Sequence, residues 1–321
     1  NDQSDSNYEK YVTALKNRGL GYIDLYDKNN DEKISFDEFK ALEKVDLGEK
    51  LLEEDDSLLE EIARPLFNKI DKNEDNVLPL GDKMVNIFGA GSVVPFLGGA
   101  GSGAITTDDP VTFYEALDEN NINYNTELRS LYEKECSGNE MPRTSNTVIN
   151  NLLQLVLASS SLEEMPCDKL TDEIMANAVN FSDTAIIVIS RTSRETADLP
   201  ADVLRLSDEE KNLVEKVTSS FENVIVLFNT GNVMEMGWLE EYDSIKAAAM
   251  IWIPGEFGMR AVAQMLSGEV NPSGKLTDTV AYNVEDHPSS ECFGTYEYDG
   301  GGYYVEYLEG IYVGYRYFET F

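Results

Sequence analysis

The sequence predicts an α/β protein in which a mostly parallel sheet is sandwiched between helices and preceded by a small all-helical region. Three observations carry this. Short, almost purely apolar and β-branched runs recur after Leu80, and amphipathic stretches of helical length separate them. Residues 1–72 contain no such runs and carry helical spacing around a loop of regularly placed oxygen side chains. A parallel sheet covered on both faces reads in this way, because every strand is buried on both sides and every parallel connection needs a crossover.

The helical region comes first. Tyr11, Val12, Leu15, Ile23 and Leu25 recur at roughly helical spacing, interrupted by Gly19 and Gly21. The loop Asp27–Glu38 follows, with Asp27, Asn29, Asp31, Ser35 and Glu38 at loop positions 1, 3, 5, 9 and 12. That spacing wraps oxygens around calcium, with Lys33 contributing its backbone carbonyl, and it resembles an EF-hand. Glu32 stands where the pattern has its turn glycine, which weakens the site. A weaker second loop runs from Asp71 to Asp82, with Asp71, Asn73, Asp75 and Asp82 as ligand candidates and Pro79 at position 9. Asn73–Leu80 also reads as the lead into the following domain, so the expected boundary falls between residues 72 and 73. The alternative for both loops is a solvated acidic helix-loop-helix that binds nothing.

The body, 73–321, supplies strand candidates at Met84–Phe88, Thr184–Ser190, Val224–Asn229 and Ala248–Ile253. Helices are expected at Pro110–Asn120, Thr126–Glu135, Thr171–Asn180, Ser207–Ser220 and Gly258–Ser267. In such a fold, functional groups belong at the carboxyl ends of the strands. The first of those ends is glycine-rich, Gly89-Ala-Gly91 and then Gly98-Gly-Ala-Gly-Ser-Gly103. No helix follows at the dinucleotide spacing and no phosphate-loop lysine is present, so close backbone packing is the competing reading.

Composition narrows the function. Asp and Glu number 60 against 25 Lys and Arg, a formal net charge of −35, which makes nucleic acid and anionic membrane poor partners and favours cations and neutral ligands. No uncharged apolar run of membrane-spanning length occurs. His287 is the lone histidine, and the three cysteines are far apart, so neither serine-hydrolase chemistry nor a disulfide framework is indicated.

Several stretches taken in order carry a resemblance. Phe88-Gly89 with Gly98–Gly103 and Tyr114-Glu-Ala-Leu117, then Asp183–Thr192, Pro254-Gly-Glu-Phe-Gly258, Gly268–Leu276 and Glu309–Phe318, resemble the C-terminal α/β-sandwich domain of glycoside hydrolase family 3, the β-glucosidase family. Leu276–Thr279 and the ending Tyr315–Phe321 are similar to the subgroup in which the sandwich precedes the barrel. The resemblance implies retaining hydrolysis of β-glucosides or oligosaccharides by two carboxyl groups, with the nucleophile on a barrel and the acid/base on a sandwich loop. Carried onto Thr192–Asp198, it implies Glu195 as acid/base and Asp198 as a supporting acid. Gly99, Gly101, Ser102 and Arg191 are the implied sugar-binding residues.

Arg194 and Thr196 depart from the family context, and a guanidinium beside Glu195 favours its ionised form. A barrel takes about 250 residues, for which this sequence has no room, so the chain alone is not expected to be competent. Its partner would be a barrel domain or further copies of itself. The alternative is a non-catalytic calcium-binding protein for assembly or carbohydrate binding, its tyrosines 296, 298, 303, 304 and 307 serving sugars or a subunit interface. Weak calcium loops suit millimolar external calcium, which points to a secreted or cell-surface protein, with the cytoplasm as the alternative.

Overall fold

The computed structural model describes residues 77–80, 84–99, 109–136, 162–191, 201–272, 274–276, 279–292 and 296–320. The chain divides into two units, Asn1–Gly81 and Asp82–Phe321, and the architecture below is that of the second. The ligand candidates of both calcium loops lie outside the described residues.

Among the described residues the sheet has four strands in the order β1 (Asn86–Phe88), β2 (Thr184–Arg191), β3 (Asn223–Thr230) and β4 (Ile245–Met250), all parallel. The helices are α1 (Phe113–Glu119), α2 (Thr126–Cys136), α3 (Asp172–Phe181), α4 (Asp208–Ser220) and α5 (Gly258–Ser267). Every residue of β2 is buried, and β3 is buried from Val224 onward. Ala185, Ile187 and Ile189 on β2, with Val224, Val226 and Phe228 on β3, join residues of α2, α3 and α4 in one cluster. The intervening Ile186, Val188, Ile225 and Leu227 are equally buried, so both faces of the sheet are covered.

Local sequence explains the helix starts. Thr112 with Glu115, and Ser207 with Glu210, form capping boxes: each N-cap hydroxyl accepts the N–H three residues on, and each glutamate accepts the N-cap N–H. Thr171 caps α3 through the N–H of Ile174. Gly268 closes α5 in the left-handed region at φ 86°.

Two strand boundaries differ from expectation. β1 begins at Asn86, because Met84 is exposed and only an isolated bridge pairs Val85 with Tyr124. β4 runs over Ile245–Met250, earlier than the apolar run Ala248–Ile253 implies. A register irregularity at Val224/Ile225 admits Ile245 as a partner at the amino end. At the other end Trp252 takes φ +52°, which breaks strand geometry before the run of apolar side chains stops.

Candidate functional site

The carboxyl ends of the four strands lie together along one edge, and three arrangements fix the loops that leave them.

At the end of β1 the chain folds sharply back over β2. Gly89 sits at φ +100°, and a Cβ there would come within 2.4 Å of the Val188 carbonyl oxygen; a Cβ on Gly91 would come within 2.1 Å of Ser190 Oγ. The Gly-Ala-Gly turn therefore serves close packing of backbone on strand, as the competing sequence reading holds. Ser92 Oγ donates to the Gly89 carbonyl at 2.8 Å and accepts from the Tyr114 hydroxyl at 3.3 Å. Glu164 reaches this turn from a separate segment: its carboxylate accepts from Ala90 N at 2.9 Å and Met165 N at 3.0 Å. Burial pushes the Glu164 carboxyl up to about 7, against those two bonds and the Arg191 charge that favour ionisation; Glu210 adds to the rise.

At the end of β3, Asn229 is fully buried with its amide in four bonds. Its Nδ2 donates to the carbonyls of Phe96 at 2.8 Å and Trp252 at 2.7 Å; its Oδ1 accepts from Phe96 N at 2.7 Å and Ser190 Oγ at 3.2 Å. One side chain thus joins the loop after β1 to the loop after β4. Gly255 N adds a bond to the Leu97 carbonyl at 2.8 Å. Gly99, two residues beyond Leu97, is half-buried next to the part of this loop that carries Gly101 and Ser102.

At the end of β2 stands Arg191, 1% exposed and facing Glu210, which is 3% exposed. Nη1 and Nη2 donate to the two carboxylate oxygens of Glu210, each at 2.6 Å. The remaining donors go to backbone: Nη1 to Ser190 O at 2.8 Å, Nη2 to Arg205 O at 2.9 Å and Nε to Val203 O at 3.0 Å. All five guanidinium N–H groups are used, so the expectation that Arg191 binds sugar is corrected: no donor remains for a ligand. Its role is to tie the end of β2 to the 3₁₀ turn Ala201–Leu204 and to Arg205 just after it; residues 192–200 join the two. That segment carries Glu195 and Asp198, which, like Gly101, Ser102 and the calcium-ligand candidates Asp27, Asn29, Asp31, Lys33, Ser35, Glu38, Asp71, Asn73, Asp75 and Asp82, lie outside the described residues. Among the described residues no group of histidine, cysteine, aspartate or glutamate is arranged to hold a metal, and no helix is long and apolar enough to cross a membrane.

The profile of the glycosyl hydrolase family 3 C-terminal domain matches residues 72–315. The chain belongs to glycosyl hydrolase family 3. β-Glucosidase A of Butyrivibrio fibrisolvens is 35% identical to this family 3 chain over 274 residues, which cover 78% of this chain and 31% of that protein. A β-glucosidase of Ruminococcus albus is 41% identical over 161 residues, 50% of this chain and 16% of its own. Among solved structures, a β-glucosidase from Paenibacillus barengoltzii superposes with a TM-score of 0.65 at 36% identity, over 78% of this chain and 26% of its own. β-glucosidase 3B of Thermotoga neapolitana, solved with glucose, gives 0.63 at 31% identity, over 77% of this chain and 34% of its own. The family 3 domain thus spans about a third or less of the length of these relatives.

Sequence reasoning missed Asn229, Glu210 and Glu164. Asn229-Thr230 closes an apolar run with two buried polar residues, and Ser207-x-x-Glu210 is a visible capping box. Glu164 has no local sequence signal, since its partner Ala90 is 74 residues away.

Proposed function

We propose that this domain supplies the acid/base half of a retaining β-glucosidase and acts with a nucleophile-bearing domain on non-reducing-end β-glucosyl units. The observation that carries the reading is the Arg191 clamp. It ties the end of β2 to the Ala201–Leu204 turn and Arg205, the two points that the Glu195 segment joins in sequence, at the carboxyl end of a parallel strand, where an α/β fold presents its functional groups.

In the first half-reaction Glu195, protonated, gives its proton to the glycosidic oxygen as the C–O bond breaks and the partner domain's carboxylate bonds the anomeric carbon. In the second, the same carboxylate takes a proton from water as that water attacks the glycosyl intermediate, restoring both groups. Holding the two carboxyls about 5 Å apart requires a loop fixed at its base, which the clamp provides. The oxygen spacing at Asp27–Glu38 supports calcium in the N-terminal region, at affinities suited to an extracellular setting.

The test places this chain in the corresponding third of Butyrivibrio fibrisolvens β-glucosidase A and follows hydrolysis of 4-nitrophenyl β-D-glucoside. Turnover that falls about 10²–10⁴-fold in Glu195→Ala supports the reading; turnover indifferent to Glu195 refutes it.

A further inference from the structure

Glu164 stands in a segment whose neighbours Leu162 and Met165 pack on the main cluster, and it is half-buried between the exposed Glu163 and the buried Met165. Its carboxylate is turned inward, onto the turn after β1. The bond it accepts from Met165 N is local, so the 2.9 Å bond from Ala90 N is the tie that spans 74 residues of chain. That tie meets the turn where it lies flush on β2, since Gly89 and Gly91 leave no room there for a Cβ.

The groups around the carboxylate decide what its charge costs. From α2 the Tyr132 hydroxyl and the Cys136 thiol face it, and burial keeps both protonated, the phenol well above its usual range and the thiol pushed up to about 12. Burial also raises the Cys167 thiol, in the 3₁₀ turn Cys167–Lys169. Arg191 of β2 attracts the carboxylate, but its donors are spent on Glu210 and backbone, and Glu210 of α4 repels it. A donor from Tyr132 would offset this, yet its fully buried hydroxyl has no hydrogen-bond partner among the described residues. An ionised Glu164 therefore has two N–H donors in place of water, and burial outweighs them, raising the carboxyl to about 7. The neutral form bears no such cost. On the side of the exposed Glu163, rotation of the Glu164 side chain takes the charge to water, with loss of the bond from Ala90.

We propose that Glu164 is a proton-dependent latch on the loop that leaves β1. Neutral, it holds residues 89–93 down on β2; ionised, it swings to solvent and releases that turn, the root of the glycine-rich loop. Its holding effect is fully present below the ordinary carboxylate range and is lost as pH rises towards about 7. The latch lies wholly among the described residues, so it stands or falls independently of whether the chimera with Butyrivibrio β-glucosidase A is active.

Hydrogen exchange of the 321-residue chain tests this, each amide's rate being divided by that of an unstructured chain at the same pH. Between about pH 5 and about pH 7.5 the normalised rate of Ala90 is expected to rise by about 10–10²-fold. The amides of β2 and β3 stay slower than Ala90 at every pH, which marks the opening as local. Glu164→Gln, which keeps an acceptor and cannot ionise, should hold the turn closed with no such rise, and Glu164→Ala should leave it open at both ends of the range. The Ala90 amide-proton shift needs no variant to fold: it should titrate in the parent with a midpoint near 7. A rise that persists in Glu164→Gln overturns the latch, as does a flat or falling profile in the parent. So do turn amides that exchange only together with β2 and β3, or an Ala90 shift whose midpoint lies in the ordinary carboxylate range.

Discussion

Arg191 and Glu210 meet through two bonds of 2.6 Å with both side chains almost wholly buried, and the same guanidinium holds the carbonyls of Val203 and Arg205. Removing one member leaves the other's charge without its counterpart in the core. Glu210→Gln is expected to lower unfolding free energy by about 3–5 kcal/mol, measured by denaturant titration. The neighbouring Ser207→Ala, which removes only the N-cap acceptor, is expected to cost about 1 kcal/mol.

Glu164 gives the unit a pH dependence of defined sign. Burial raises its carboxyl from 4.5 to about 7 in the folded state. Its contribution is then fully present below the ordinary carboxylate range and is lost as pH rises towards about 7, because the unfolded chain releases the proton first. Comparison of Glu164→Gln with the parent should show a flatter stability profile between about pH 4.5 and 7, the parent losing on the order of 3 kcal/mol over that span. A parent whose stability rises with pH through that window contradicts the assignment.

Asn229 is the joint between two loops, and Trp252 reports on it. Asn229→Ala deletes four hydrogen bonds and leaves the Phe96 N–H and the Trp252 carbonyl without their partner. A loss of about 2–4 kcal/mol should accompany a red-shifted tryptophan emission, with Asn229→Ala in a Trp238→Phe background isolating the Trp252 signal.

Gly89 and Gly91 tolerate no side chain. Ala at either position places a methyl against Val188 O or Ser190 Oγ, and Gly89 is also in the left-handed half of backbone space. Each substitution should cost about 2–4 kcal/mol, read as a lowered denaturation midpoint; a neutral Gly91→Ala would mean that the turn stands farther from β2 than described.

These cases show what was legible beforehand. The strands and helices could be read because β2 and β3 are apolar on both faces and α1 and α4 carry capping boxes, all local signals. β4 lies earlier than its apolar run implies because such a run says nothing of φ, and the backbone of Trp252 ends the strand inside the run. Arg191 is a different case. The family resemblance implies a sugar-binding residue there, and only the return of Val203, Arg205 and Glu210 around it shows that its donors are already used.

Calcium supplies a prediction for the N-terminal region. With Asp27, Asn29, Asp31, Ser35 and Glu38 at ligand spacing, titration should show binding in the 10⁻⁴–10⁻³ M range typical of extracellular modules. Glu38→Gln, which removes the position able to bind in bidentate fashion, should weaken it; unchanged affinity would locate the ion elsewhere.

The most direct test of the central claim compares leaving groups in the chimera carrying Glu195→Ala. An acid/base residue matters most when the departing oxygen needs a proton, so the variant should nearly abolish hydrolysis of cellobiose while retaining much more of the rate of glycosyl transfer from 2,4-dinitrophenyl β-D-glucoside, and azide should accelerate the latter by trapping the intermediate as β-glucosyl azide. Equal losses on both substrates, with no response to azide, would contradict the assignment of Glu195 as the acid/base of this family 3 domain.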